Sequence, residues 1–205
     1  LRAKALAALG LTTVGSACFP LAANAATGGA SVPSATKAAD ETSVETQVAT
    51  DLAGGAAFGS IPRMLRPTVP GDVGVIRDGI AFAPEGAPIE VKRAIWAGNA
   101  LRDKPYIYGG GHRSFTSRGY DCSGTVSYAL HAGGLLDGPL DSSSFMSWGK
   151  RGKGAWITVY TNPGHAFVVI AGLRLDTSGP GERGPRWREA KRPTRRYKAR
   201  HPELF

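Results

Sequence analysis

Cys122 follows Asp121 and precedes Ser123 and Gly124. Asp is a favoured helix N-cap, and the stretch from Cys122 to Ala132 is helix-compatible up to the Gly133-Gly134 stop. The thiol is therefore expected in a first helical turn, where unpaired N–H groups and the helix dipole favour an anion and raise the thiolate fraction. The small neighbours Ser123 and Gly124 leave room for a substrate carbonyl, so Ser123 is a candidate for lining the substrate. A backbone N–H at the helix start is a natural oxyanion donor.

A thiolate that attacks an amide needs a base able to return the proton to the leaving amine, and His does this near neutral pH. The sequence offers His112, His131, His165 and His201. His131 falls at the far end of the nucleophile helix. His112 sits on a Gly-rich loop with no geometric reason to favour it. His165 opens a run rich in β-branched residues directly after the turn Asn162-Pro163-Gly164, and a polar residue at such a position answers to function more than to packing. The ring also wants an orienting acceptor. With a hairpin turn at Ala171-Gly172, Asp176 falls on the same sheet face as His165, one diagonal step along, and Thr177 points away. Cys122, His165 and Asp176 are thus the expected catalytic set, with His201 the alternative orienter if the C-terminal segment folds back. A lone Cys is more often a small buried hydrophobe; here the cap, the helix start and the His strand together point to chemistry.

The elements that must position these residues are legible from periodicity. Pro88 opens a helix whose apolar face is Val91, Ala94, Ile95, Gly98 and Leu101, stopped by Asp103-Lys104-Pro105. Tyr106-Ile107-Tyr108 is a short β-like run, followed by Gly109-Gly110-Gly111 and a polar loop to Tyr120. Residues 135–154 read as loop. Trp156 to Tyr160, His165 to Ala171 and Leu173 to Thr177 read as strands. A helix, a nucleophile helix and a strand meander make an α+β fold, with the nucleophile at the N-terminus of a helix packed on an antiparallel sheet.

Three stretches taken together resemble a known family: Pro105 to His112 (Pro-Tyr-Ile-Tyr-Gly-Gly-Gly-His), Tyr120 to Gly124 (Tyr-Asp-Cys-Ser-Gly) and Gly164 to Gly172 (Gly-His-Ala-Phe-Val-Val-Ile-Ala-Gly). They look like the NlpC-type, p60-like cell-wall cysteine peptidases of the papain-like superfamily, over about residues 87–177. The resemblance implies a papain-like α+β fold and hydrolysis of an amide in peptidoglycan stem peptides, of the γ-D-glutamyl–diamino acid type, through a thioester on Cys122. It implies His165 as base and a third polar residue near Asp176, commonly His in the family. It also matches Tyr106 to a tyrosine that lines the site and helps the oxyanion. Two departures stand out: the loop from Gly111 to Tyr120 is longer than in simple members, and the segment after Asp176 is long and basic. The same thioester would serve an acyltransferase, and a non-catalytic wall-binding protein is the rival from another class.

The rest of the chain places this domain. Arg2 and Lys4, the apolar run Ala5 to Ala17, and Ala23-Asn24-Ala25 have the form of an export signal over residues 1–25. A lipoprotein-type reading of Val14 to Cys18, with Cys18 lipidated, is the lesser alternative. Either way Cys122 is left without an intramolecular partner in an oxidising compartment, which independently singles it out. Residues 26–86 read as a flexible linker or extended arm, and 87–205 as the catalytic domain with a basic C-terminal segment. Residues 26–86 carry 4 Lys/Arg against 7 Asp/Glu, whereas 87–205 carry 19 against 9. A basic exported domain suits an anionic surface such as a bacterial wall or membrane rather than nucleic acid; the wall peptides are the partner that the resemblance implies. The run from Arg183 to Arg200 reads as a solvated surface or as a contact for anionic wall polymers or phospholipid headgroups, with Trp187 and Tyr197 as packing anchors. The histidines have no ligand spacing, so neither a metal nor a cofactor is expected.

Overall fold

The computed structural model describes residues 61–181 and 184–205, which all belong to one unit, Glu41–Phe205. The export signal, Cys18 and the linker over residues 26–60 lie outside the described residues. The architecture is α+β. Its centre is a six-stranded antiparallel sheet of β4 (Lys150–Arg151), β5 (Ile157–Asn162), β6 (His165–Ile170), β7 (Leu173–Asp176), β8 (Arg186–Glu189) and β9 (Lys198–His201), in the order β4-β9-β5-β6-β7-β8.

The alternation of side chains divides this sheet sharply. Ile157 and Val159 of β5, Ala166, Val168 and Ile170 of β6, and Leu173 and Leu175 of β7 join one buried core. Helices α1 (Ile89–Ala100) and α2 (Cys122–Ala132) pack on that face. The expected apolar stripe of α1, Val91, Ala94, Ile95, Gly98 and Leu101, is buried throughout. Gly98 is needed there because a Cβ would fall 2.5 Å from the Trp187 ring of β8.

The hairpin from β6 to β7 turns at Ala171 and Gly172, both at positive φ (47° and 81°), the two-residue geometry that follows strand twist. Its register pairs Val168 with Leu175 and Ile170 with Leu173, so His165 and Asp176 stand on one face, a diagonal step apart.

Three stretches are more structured than their sequence suggests. Over residues 61–86, where a flexible linker or an extended arm is expected, β1 (Thr68–Val69), β2 (Val75–Arg77) and β3 (Ile80–Pro84) form a small sheet in the order β1-β3-β2, and Ala81 and Ala83 enter the main core. The folded domain thus begins before residue 87. The cause is an amphipathic β3 that buries small residues against α1. Within 135–154, the short helix α3 (Ser142–Phe145) is capped by Asp141, which accepts from Ser144 N at 2.7 Å, and Phe145 anchors it in the core. The basic C-terminal segment supplies β8 and β9 on opposite sides of the β5-β6-β7 core of the sheet. Residues 190–197 therefore have to pass across β7, β6 and β5, and they do so on the face away from the helices, where Arg192 and Tyr197 meet Phe167.

Candidate active site

Cys122 is the first residue of α2. Asp121 caps the helix, its Oδ1 accepting from Gly124 N at 2.8 Å. The cap needs the Gly-rich loop pressed against the helix start. A Cβ on Gly124 would lie 2.0 Å from the Gly110 carbonyl oxygen, and one on Gly111 would lie 2.9 Å from Gly124 Cα. The glycines of the two motifs are one backbone-to-backbone contact. Gly109 N also donates to Asp121 Oδ2 at 3.1 Å, tying loop to cap.

His165 enters from the rim of β6. Its Nε2 meets Asp176 Oδ1 at 2.9 Å, and its ring is close enough to Cys122 for each group to shift the other's pKa. The neighbouring Ala166 amide donates toward the Cys122 sulfur as well. Burial pushes the Cys122 thiol up, but the His165 hydrogen bond, the Ala166 N–H and the His165 charge outweigh it, and the net shift is downward. Burial likewise pushes His165 down, yet hydrogen bonds and charge from Asp176 and Cys122 carry it up to about 9. Asp176 is held below its ordinary value: burial opposes this, and the His165 bond, the Ser178 N–H and the positive charges of His165 and Arg192 overcome it. The downward shift of Cys122 and the upward shift of His165 both act toward a thiolate–imidazolium pair, beside the buried Asp176 carboxylate.

All three expected catalytic residues come together. His201 does not approach them; it lies on β9, opposite Lys150, with Nδ1 near the Pro202 carbonyl. Tyr106 is 40% exposed and close enough to Cys122 and Asp121 for their charges, after partial burial, to raise its phenol. It remains a proton donor at the site.

Ser123 is a correction. It was expected to line the substrate, but it is 2% exposed; its hydroxyl lies 3.2 Å from Asp121 Oδ1 and 3.0 Å from His112 Nε2. The second residue of the helix turns inward, toward the loop, not toward the mouth of the site.

Sequence reasoning missed four residues. His112 has no geometric argument in the sequence, yet its Nε2 sits 2.9 Å from Asp121 Oδ2 and braces the cap. Ser178 donates to Asp176 Oδ1 through N (2.9 Å) and Oγ (3.2 Å). Arg174 Nε lies 3.7 Å from Asp176 Oδ2. Arg192 Nη1 donates to Asp176 Oδ2 at 2.6 Å. The signal for Ser178 and Arg174 was in reach, since both flank Asp176 at even strand spacing. His112 closes the Pro105-to-His112 motif, though nothing in that motif shows its contact with Asp121, and nothing local marks Arg192. Among the described residues, no group of three or more His, Cys, Asp or Glu is arranged to hold a metal ion, and no helix is long and apolar enough to cross a membrane.

No protein-family model matches the chain, and no curated protein matches it. Solved structures do. The chain is similar to a mutated form of the resuscitation promoting factor interacting protein RipA, with a TM-score of 0.43, 22% identity, and 56% of this chain and 63% of that one covered. It is similar to the peptidoglycan hydrolase RipB from Mycobacterium tuberculosis, with a TM-score of 0.44, 21% identity, and 56% and 66% covered. It is also similar to NlpC1 from Trichomonas vaginalis, with a TM-score of 0.44, 18% identity, and 58% and 45% covered. The chain spans less than two thirds of the length of each of these.

Proposed function

We propose that this protein is a cysteine hydrolase that cleaves an amide bond in peptidoglycan stem peptides. One observation carries the reading: a helix-start thiol, lowered in pKa, stands beside a histidine whose Nε2 is held at 2.9 Å by a buried carboxylate. In the expected reaction the Cys122 thiolate attacks the carbonyl carbon, and the oxyanion is met by helix-start N–H groups and the Tyr106 phenol. His165, protonated, gives its proton to the leaving amine as the C–N bond breaks, leaving an acyl thioester on Cys122. Neutral His165 then takes a proton from water, the hydroxide adds to the thioester, and the acid leaves as the thiol is restored.

The choice of wall peptides, and of the γ-D-glutamyl–diamino acid bond, is supported by the sequence motifs at 105–112, 120–124 and 164–172. Export to the wall or periplasm is supported by the form of residues 1–25. The exposed cations Arg195, Arg196 and Lys198 support contact with anionic wall polymers. Capture of the thioester by an amine instead of water would make the protein an acyltransferase.

Purified peptidoglycan incubated with the protein should release soluble fragments ending in a free acid, and Cys122→Ala should release none. Digestion by Cys122→Ala at the wild-type rate would sink the nucleophile assignment. Fragments bearing a new amide would turn the reading to acyl transfer.

A further inference from the structure

The strap that crosses the sheet, residues 190–197, spans the distance from β8 to β9. That is four strand spacings, roughly 19 Å, within reach of an eight-residue connection. Its path brings one basic residue inside. Arg192 Nη1 donates to Asp176 Oδ2 at 2.6 Å and to Ser178 Oγ at 2.5 Å, and Nη2 donates to the Tyr197 hydroxyl at 2.9 Å. The guanidinium carbon lies 4.9 Å from the Phe167 ring centroid and 5.5 Å from that of Tyr197. The arginine is therefore held on several sides, and only an arginine fork satisfies partners in these directions while stacking on a ring.

Asp176 has a fully buried side chain. Its Oδ1 serves His165 and Ser178, and its Oδ2 faces Arg192 and Arg174. Arg174 Nε makes no hydrogen bond and stands at 3.7 Å, so it supplies charge without direction. Arg192 makes the short directional contact. We infer that Arg192 is a positioning residue: by pinning Oδ2 it fixes the carboxylate so that Oδ1 meets His165, and thereby sets the Cys122–His165 pair. The inference rests on the cysteine-hydrolase reading above.

The test reads Cys122 directly, with iodoacetamide as the probe at pH 6.5, alongside kcat and KM on a soluble stem peptide. Four proteins form a cycle: wild type, Arg192→Gln, Asp176→Asn, and the double variant. Arg192→Gln should slow alkylation and lower kcat about tenfold or more, the size seen when an outer-shell partner is lost, with KM nearly unchanged. In the Asp176→Asn background the same substitution should have little further effect, because its route to His165 is already cut. An equal loss in both backgrounds, or no loss in the first, overturns the inference. Arg192→Lys, which keeps the cation without the fork, should fall between wild type and Gln; should the Gln variant fail to fold, a wild-type rate in the Lys variant overturns it. If wild-type Cys122 alkylates no faster than a free thiol, the hydrolase reading itself has failed, which is a different result from an insensitive Arg192.

Discussion

Asn99 pairs with Ala81 as a strand would: its Oδ1 accepts from Ala81 N at 2.8 Å and its Nδ2 donates to Ala81 O at 2.9 Å. Nδ2 also donates to Leu65 O at 2.9 Å, and the side chain has no exposure to solvent. One amide on α1 thus satisfies the backbone of β3 and ties residues 61–86 to the domain. Asn99→Ala leaves a buried N–H and carbonyl unpaired and should cost about 2–3 kcal/mol, read as a lower urea midpoint with an unchanged m-value. A variant as stable as wild type would mean that residues 61–86 contribute little to folding.

The contact between Gly124 and Gly110 leaves no room for a side chain. Gly124→Ala should lower the melting temperature and slow Cys122 alkylation together, because the helix start cannot hold its position when the loop is pushed away; overpacking of this kind costs about 1–3 kcal/mol. Gly138 has nothing within 4 Å of a built Cβ and serves as control. Gly138→Ala should match wild type in both measurements, and similar behaviour of the two variants would contradict the close approach.

The pH profile follows from the two shifts at the site. Turnover needs Cys122 deprotonated, and its lowered pKa moves the acid limb below the ordinary thiol range near ~8.5. Turnover also needs His165 protonated to supply the leaving amine, and its value of about 9 moves the alkaline limb upward from the ordinary imidazole range. Activity should fall past about 9, with its acid limb below the ordinary thiol range, whereas alkylation, which requires no proton donor, should show no alkaline fall. A decline in turnover already near pH 6.5 would show that His165 is not held protonated.

Asp176→Asn should cut kcat by roughly 10²- to 10⁴-fold by favouring the wrong His165 tautomer. The same change leaves Arg174 and Arg192 facing a neutral amide in a buried position, so the melting temperature should fall too. Rate measurements below the melting transition separate the two effects. An unchanged rate would remove Asp176 from the catalytic set.

Local signals carried the placement of Cys122 and His165 a long way. The Asp121 cap, the apolar stripe of α1 and the strand at His165 are each written in a short window of sequence, because capping, 3.6-residue periodicity and β-branched enrichment act over one or two turns or one strand. The diagonal between His165 and Asp176 was also legible, since a two-residue turn at Ala171-Gly172 sets the register of everything that follows it. What only the tertiary structure decided are the pairings that cross the sheet. Arg192 looked like one more cation in a solvated run, and it reaches Asp176 only because β8 and β9 take places on either side of β5, β6 and β7, which forces residues 190–197 across the open face. His112 braces Asp121, and Ser123 turns inward, only because Gly110 and Gly124 let two backbones touch. Strand order and backbone approach depend on contacts between residues far apart in the chain, and no local preference encodes them.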